Sequence, residues 1–576
     1  MSATDALAMS TLKVANLVLN PKRPPPNRID SWSSTAKLRQ SNVGCERYTD
    51  HRQSMPSWKW WGTIVVICFT SMISGYDVSN VANIQPRLYE ALGHIELLEW
   101  ITLSYSLAVF AVLSLARKIV YCFNLRSIYL VHLLIFILGS ALAGAASHIA
   151  TVIVGRSIMG LGGAVILQTN MAYLAEFANS AETPTLIALS SASWAVGLAI
   201  GGPLGSAFAE KATWRWAFYL NIPLVASMLF LSALCLPQHR FYETTSSVWH
   251  RLRHGDPLGI LFNAIVPELF AIAVTFGGPI WEWDSAPSTV TWVLFGLTLM
   301  TWMLQQYLCI FTTTEERALP VHLLSRTDLL PLWIATACAG SAYAITLIYT
   351  PLFFAFVKGA DALAQSVRLL PFTFSFIVAL MVTGRLLPII RRYKLVYVAA
   401  GLCTMAGSVA MATSLSKNGT AEALVMGLEV LLGIGLGLHF QHGVGISNVI
   451  NKDHRRDRMD SVAMCNFAQF GGIAITLAIA GSIFQNVGYQ LLTDAIGDKV
   501  YSKSEIREAL AGVSSTVWQD PGLLRNGVMA VSDVLSKEFY IALSAGLLCL
   551  VCAILMRSGK LSYKDVRTVH TAVVET

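Results

Sequence analysis

Two charged residues stand where charge is costly. Asp77 lies deep within an apolar run, in Gly75-Tyr76-Asp77-Val78-Ser79-Asn80-Val81, and Arg156 opens the stretch Arg156-Ser157-Ile158-Met159-Gly160-Leu161-Gly162-Gly163-Ala164 near the start of another. An ionised side chain at the centre of a bilayer costs about 2.5–3.5 kcal/mol or more unless it is paired or hydrated. Burial favours the neutral form of a carboxyl group and a neighbouring cation favours the charged form. A carboxylate in a cavity that opens alternately to two aqueous compartments can therefore gain a proton on one side and release it on the other. Asp77 reads as such a proton-exchanging group, with Arg156 as its partner. The structural alternatives are a carboxylate that pairs helices and a guanidinium that snorkels to the interface.

A second constellation concerns conformation. Gly197-Leu198-Ala199-Ile200-Gly201-Gly202-Pro203-Leu204-Gly205 places four glycines and a proline in one span. Small residues allow close helix contact and proline allows a bend, so the stretch reads as a hinge or as a packing surface. Gly160 and Gly162 form a similar small-residue surface after Arg156. Gln168, Glu268, Glu429, His439, Gln441 and His442 fall in or near apolar runs and are candidates to line a cavity, Glu429 foremost. His439 and His442 have i, i+3 spacing but no third ligand, so no metal site is expected. Gly433, Gly435 and Gly437 interrupt an apolar helix and follow no strand, which is the wrong context for a nucleotide loop. Without a Walker sequence, an ion gradient rather than ATP is the expected energy source, and no cofactor is called for.

The elements that position these residues follow from hydropathy. The chain has 576 residues, 54% hydrophobic and 13% charged, with a mean hydropathy of +0.56, whereas soluble domains carry about 25% charged residues. Runs long enough to cross a bilayer recur near 60–81, 100–116, 128–146, 149–172, 185–207 and 217–236, then 258–276 and 289–310, then 329–356, 363–387, 396–412, 423–444, 462–484 and 539–555. The expectation is an all-α membrane protein of two six-helix bundles with two additional central transmembrane helices. Its divisions are a cytoplasmic disordered tail at 1–57, a first bundle at 58–237, a linker at 238–256, the inserted pair at 257–311 and a second linker at 312–328. A second bundle at 329–558 includes an outer loop at 488–536 with a short helix near 504–511, and a tail follows at 559–576.

Charge supplies an orientation. Arg117, Lys118 and Arg126 follow the second run, Arg391, Arg392 and Lys394 the tenth, and Lys452, Arg455, Arg456 and Arg458 the twelfth, while the alternate loops are poor in basic residues. By the positive-inside rule these three loops and both termini are cytoplasmic. Asn418-Gly419-Thr420, the one glycosylation triplet, then falls on an outer loop. The net charge of +7 is spread over short loops rather than gathered on a face, which argues against nucleic acid. Most of the ten cysteines lie in apolar runs as small hydrophobes, including the CxxC of Cys549 and Cys552.

At these residues the chain resembles the major facilitator superfamily, specifically its fourteen-span drug:proton antiporter branch and fungal efflux pumps, over roughly residues 58 to 558. Asp77 through Pro86 is similar to the first-helix signature, and Arg156 with Gly160, Gly162 and Ala164 to the fourth-helix motif, with Met159 at a usual Gln. The Gly197–Gly205 stretch resembles the antiporter motif, followed as in the family by Trp214-Arg215-Trp216-Ala217-Phe218-Tyr219-Leu220-Asn221-Ile222-Pro223. The resemblance implies proton-coupled export of a small amphipathic organic molecule such as a drug, toxin or secondary metabolite. The expectation is a monomer working by alternating access in the plasma membrane, or in a vacuolar or vesicular one, and without a nucleophile, base and oxyanion arrangement in a consistent context no enzymatic activity is expected. Uptake of a nutrient or siderophore, and a receptor that binds without transporting, are the alternatives. One motif departs: after the second helix Arg117 stands at a usual Gly and Tyr121 at a usual acidic residue, so an altered cytoplasmic gate is expected.

Overall fold

The computed structural model describes residues 55–93, 97, 99–179, 182–241, 255–314, 316–416, 419–451, 455–496, 501–510 and 521–561. Among them fourteen helices are long and apolar enough to cross a membrane. The first bundle comprises α1 (Ser57–Leu92), α2 (Trp100–Cys122), α3 (Leu125–Gly144), α4 (Ile149–Phe177), α5 (Thr183–Lys211) and α6 (Asn221–Cys235). An inserted pair follows, α7 (Pro257–Phe276) and α8 (Ala286–Leu308). The second bundle comprises α9 (Leu330–Phe356), α10 (Leu370–Ile390), α11 (Tyr393–Leu415), α12 (Glu422–Gly437), α13 (Arg455–Ile496) and α14 (Pro521–Leu555).

Local chemistry sets several of these boundaries. Asn124 caps α3 by accepting from the Arg126 amide, and proline occupies the first turn of α5, α7, α8, α9 and α10, where its missing N–H is harmless. Apolar side chains such as Leu138, Phe230, Phe374 and Ile554 point outward. In water such a surface would be a liability, but in lipid it is the solvated face, while helices satisfy their own backbone groups.

Within the first bundle α1 packs on α5, and both α2 and α3 pack on α4; within the second, α11 and α9 pack on α14 and α10 on α12. The bundles meet along two seams, α2 with α13 and α5 with α10. The inserted pair attaches at one side, where α7 lies against both α2 and α13 and α8 packs on α7. Buried Asp256, at φ +59°, fixes the base of this pair. Its carboxylate accepts from the Gly259 amide (2.9 Å), Gln305 (2.8 Å), Gln306 (2.7 Å) and the Ala318 amide (2.8 Å).

Two regions differ from the hydropathy reading. The twelfth run breaks after Gly437 and resumes as a helix at His442–Ile450, because Gly433, Gly435 and Gly437 lower helix propensity at that point. The segment 488–536, expected as a polar loop with one short helix, has that helix at Lys503–Leu510, but α13 continues to Ile496 and α14 begins at Pro521 rather than near 539. Hydropathy detects only the bilayer-matched part of a helix that continues into water. Asn418 lies outside the described residues, as do most of the linker at 238–256 and nearly all of both tails.

Candidate transport site

Asp77 and Arg156 meet. Arg156 Nη1 donates to Asp77 Oδ2, and Asn221 of α6 donates to Asp77 Oδ1 at 2.9 Å. Both charged side chains are at most 1% exposed, so Arg156 does not snorkel. Arg156 Nε donates to the Ile101 carbonyl at 3.2 Å, while Nη2 has no hydrogen-bond partner among the described residues. The guanidinium carbon lies 4.7 Å from the centroid of the Tyr105 ring, within cation–π range. The pair thus draws on α1, α2, α4 and α6.

Tyr105 is also part of the wall of a central cavity of about 110 Å³. Ser74 and Asn170 contribute from the first bundle and Tyr343, Phe440 and Gln469 from the second. Across the seam Ser191 donates to Gln441 Oε1 at 2.7 Å. Trp194 of α5 stacks on Phe440, with centroids 5.5 Å apart and planes at 21°, and lies 5.2 Å from Tyr343. The cavity and the ion pair are therefore separate but adjacent, joined by Tyr105, whose ring faces the guanidinium and lines the cavity.

The glycine stretch works by close approach. A Cβ on Gly197 would collide with the Met72 carbonyl, on Gly201 with the Tyr76 carbonyl and on Gly205 with Asn80. This i, i+4 row brings α5 onto the helix that carries Asp77. Gly202 faces Ser366, before α10, and Pro203 lies half-buried beside it. On α4, Gly160 abuts the Tyr105 backbone and Gly162 the Phe136 backbone, so the helix bearing Arg156 is seated against both neighbours.

Of the six residues named as cavity candidates, Gln441 lines the central cavity and the other five lie elsewhere. Gln168 accepts from Asn466 at 3.0 Å, a buried contact between α4 and α13. Glu268 is half-buried on the inserted α7. Glu429 is fully buried between α12 and α10, beside Phe372. His439 is held by the Gly435 carbonyl at 2.9 Å and stands edge-on to Tyr397, and His442 is buried near Gly384. Intramembrane polarity marks burial among helices; it does not say which face of a bundle a residue takes.

The basic end of the seam also departs from expectation. Arg117 Nη1 pairs with Asp460 of α13 at 2.7 Å, both side chains at most 3% exposed, and Arg117 Nη2 donates to the Arg317 and Ala318 carbonyls. Tyr121 reaches the same Asp460 oxygen at 3.2 Å. Lys118 pairs with Glu316 at 2.6 Å. The two residues that break the loop pattern thus form a contact between bundles, whose acid is supplied by α13. Asp460 had no signal of its own, since it follows a run of loop charges.

At the opposite end Glu99 precedes α2 and accepts from Gln485 of α13, while Glu538 of α14 is close enough to feel its charge. Glu538 is fully buried, and its carboxyl oxygens have no hydrogen-bond partner among the described residues. It escaped notice because the last apolar run reads as beginning at 539. Burial pushes the Glu99 carboxyl up from 4.5 to about 7, opposed by the Gln485 hydrogen bond. Between these values the folded protein holds a proton that the unfolded chain has released, so stability is fullest below pH 4.5 and declines as pH rises through about 7. Glu99→Gln is expected to flatten that decline, as read by thermal unfolding followed across pH in detergent. An unchanged slope would assign it to other groups.

Comparison with known proteins places this architecture. Residues 67–479 match the Major Facilitator Superfamily. The efflux pump DEP3 of Alternaria brassicicola is 29% identical over 521 residues, covering 89% of this chain and 90% of that protein. The MFS-type transporter pgmG of Aspergillus terreus is 30% identical over 527 residues, covering 90% and 91%. Among solved structures, the proton:xylose symporter XylE bound to 6-bromo-6-deoxy-D-glucose aligns with a TM-score of 0.56 at 11% identity, over 90% of this chain and all of that one. The chain belongs to the major facilitator superfamily, is of its fungal fourteen-span efflux-pump type, and is an integral membrane transporter.

Proposed function

We propose that the protein exports a small organic molecule in exchange for protons. The observation that carries this reading is the buried Asp77–Arg156 pair, coupled through the Tyr105 ring to the wall of the central cavity. A proton on Asp77 cancels the charge that holds Arg156. The guanidinium then keeps the Ile101 carbonyl and the Tyr105 face, and any displacement of Tyr105 moves part of the cavity wall. Substrate and proton thus bias the same set of side chains from opposite sides.

Alternating exposure follows from rocking of the two bundles about the cavity. The α2–α13 and α5–α10 seams are the contacts that such a motion exchanges. The rigid α1–α5 pair, held by Gly197, Gly201 and Gly205, carries Asp77 with the motion. The end bearing Arg117, Lys118 and Arg458 is cytoplasmic, as are both termini, and the protein acts as a monomer in the plasma membrane. Export rather than uptake is supported by the efflux pumps among the relatives.

The test is flux in sealed, inside-out vesicles with an imposed pH gradient, acid inside, against a panel of amphipathic compounds. Accumulation of at least one compound against its gradient, collapsed by a protonophore, is expected. Movement that only equilibrates the compound, indifferent to the protonophore, would remove proton coupling.

A further inference from the structure

Among the described residues, the walls of the central cavity contain no Asp, Glu, Lys, Arg or His. Its polar groups are hydroxyls and carboxamides, among them Ser74, Asn170, Ser191, Gln441 and Gln469, and several are already paired with one another. The Asp77–Arg156 pair nearby is internally neutralised and stands behind Tyr105. A charged ligand entering this space would lose its hydration without meeting an opposite charge.

Two further features point to what does fit. Trp194, Tyr343 and Phe440 form an aromatic cluster across the seam, with successive centroids 5.2–5.5 Å apart. Trp194, only partly buried, keeps surface toward the cavity. Flat unsaturated rings stack on such a surface. Tyr343 is 3% exposed and lines the cavity, yet its hydroxyl has no hydrogen-bond partner among the described residues. A buried hydroxyl in that state costs stability until an acceptor arrives.

We infer that the cavity takes an uncharged, planar unsaturated molecule bearing a carbonyl-type oxygen, stacked on Trp194, which Phe440 backs, and accepting a hydrogen bond from Tyr343. This rests on the reading that the cavity is the substrate site of an exporter. The recognition is by shape, stacking and neutral hydrogen bonds. Specificity is set by Trp194, Tyr343 and Phe440, and charge is excluded because the wall offers it no partner.

The test uses the full chain in lipid nanodiscs and equilibrium dialysis. Three scaffolds, coumarin, naphthalene and anthraquinone, are each presented as a neutral methyl ester, a carboxylate and a quaternary ammonium derivative. At least one neutral form is expected to bind, with its charged forms weaker by about 30-fold or more. Trp194→Leu and Phe440→Leu should each weaken the neutral form about tenfold. Tyr343→Phe, which keeps the ring, should weaken carbonyl-bearing probes selectively. Ser191→Asp should shift preference toward the ammonium forms, a gain that misfolding cannot imitate.

Binding of a charged form within threefold of its neutral counterpart, or failure of every neutral form to bind, would overturn the assignment. Vesicle flux separates the two readings. Charge discrimination without uphill transport of the bound probe would leave the ligand class standing and remove the exporter. Uphill transport of an ammonium probe would leave the exporter standing and remove the ligand class.

Discussion

Asp77→Asn is expected to reduce gradient-driven accumulation by roughly 100-fold or more, the scale on which a positioned proton-transfer group contributes, while leaving substrate exchange in the absence of a gradient. The central cavity contains neither member of the pair among the described residues, so under the proposed function binding need not suffer when coupling does. The variant carries a second cost. The introduced carboxamide would face Arg156 with no charge to offer, and leaving one partner of a buried ion pair uncompensated costs about 3–5 kcal/mol. Arg156 keeps only the Ile101 carbonyl and the Tyr105 ring.

Loss of flux through misfolding and loss through uncoupling are separated by a double variant. Asp77→Asn with Arg156→Met removes both charges and should recover much of the thermal stability lost by the single change. Uphill transport should not return. If the double variant pumps against a gradient, protons couple elsewhere, and the unpartnered Glu538 is the next group to substitute.

The second large effect lies at the basic end of the α2–α13 seam. Asp460→Ala leaves the Arg117 guanidinium buried with two backbone carbonyls and no counter-charge. The state in which this end is shut should lose about 3–5 kcal/mol relative to the open one. Hydrogen exchange at the ends of α2 and α13 should rise by two or more orders of magnitude where opening limits it. Arg117→Leu with Asp460→Leu should restore much of the protection, because two apolar residues avoid the uncompensated charge. Equal exposure in single and double variants would mean that the ion pair does not hold the seam. Lys118–Glu316, with Glu316 nearly half exposed, is screened by water and should contribute far less on substitution.

The gate shows how far a motif can be read. The loop after α2 lacks the residues by which its family pattern is recognised, and the sequence alone points to altered function there. The structure shows Arg117 and Tyr121 converging on one oxygen of Asp460, some 340 positions away in the chain. Pattern comparison scores each loop separately, whereas an ion pair requires only that two loops meet.

The sequence by itself determined the class of protein, the number of spans and the two charges at its centre. Those properties are local: twenty apolar residues need a bilayer wherever they occur, and a charge within them needs a partner whoever supplies it. The glycine row of α5 was legible for a similar reason, since helical periodicity places Gly197, Gly201 and Gly205 on one face before any neighbour is known. Only the tertiary structure decided which helices share a seam. It made Gln441 a wall of the cavity and Glu429 a buried contact of α12, put Tyr105 between the ion pair and the central cavity, and assembled Trp194 of α5, Tyr343 of α9 and Phe440 of the turn after α12. In a membrane every span is apolar on most faces, so hydropathy carries no rotational information. The direction each face takes is fixed by the close packing of one helix on another.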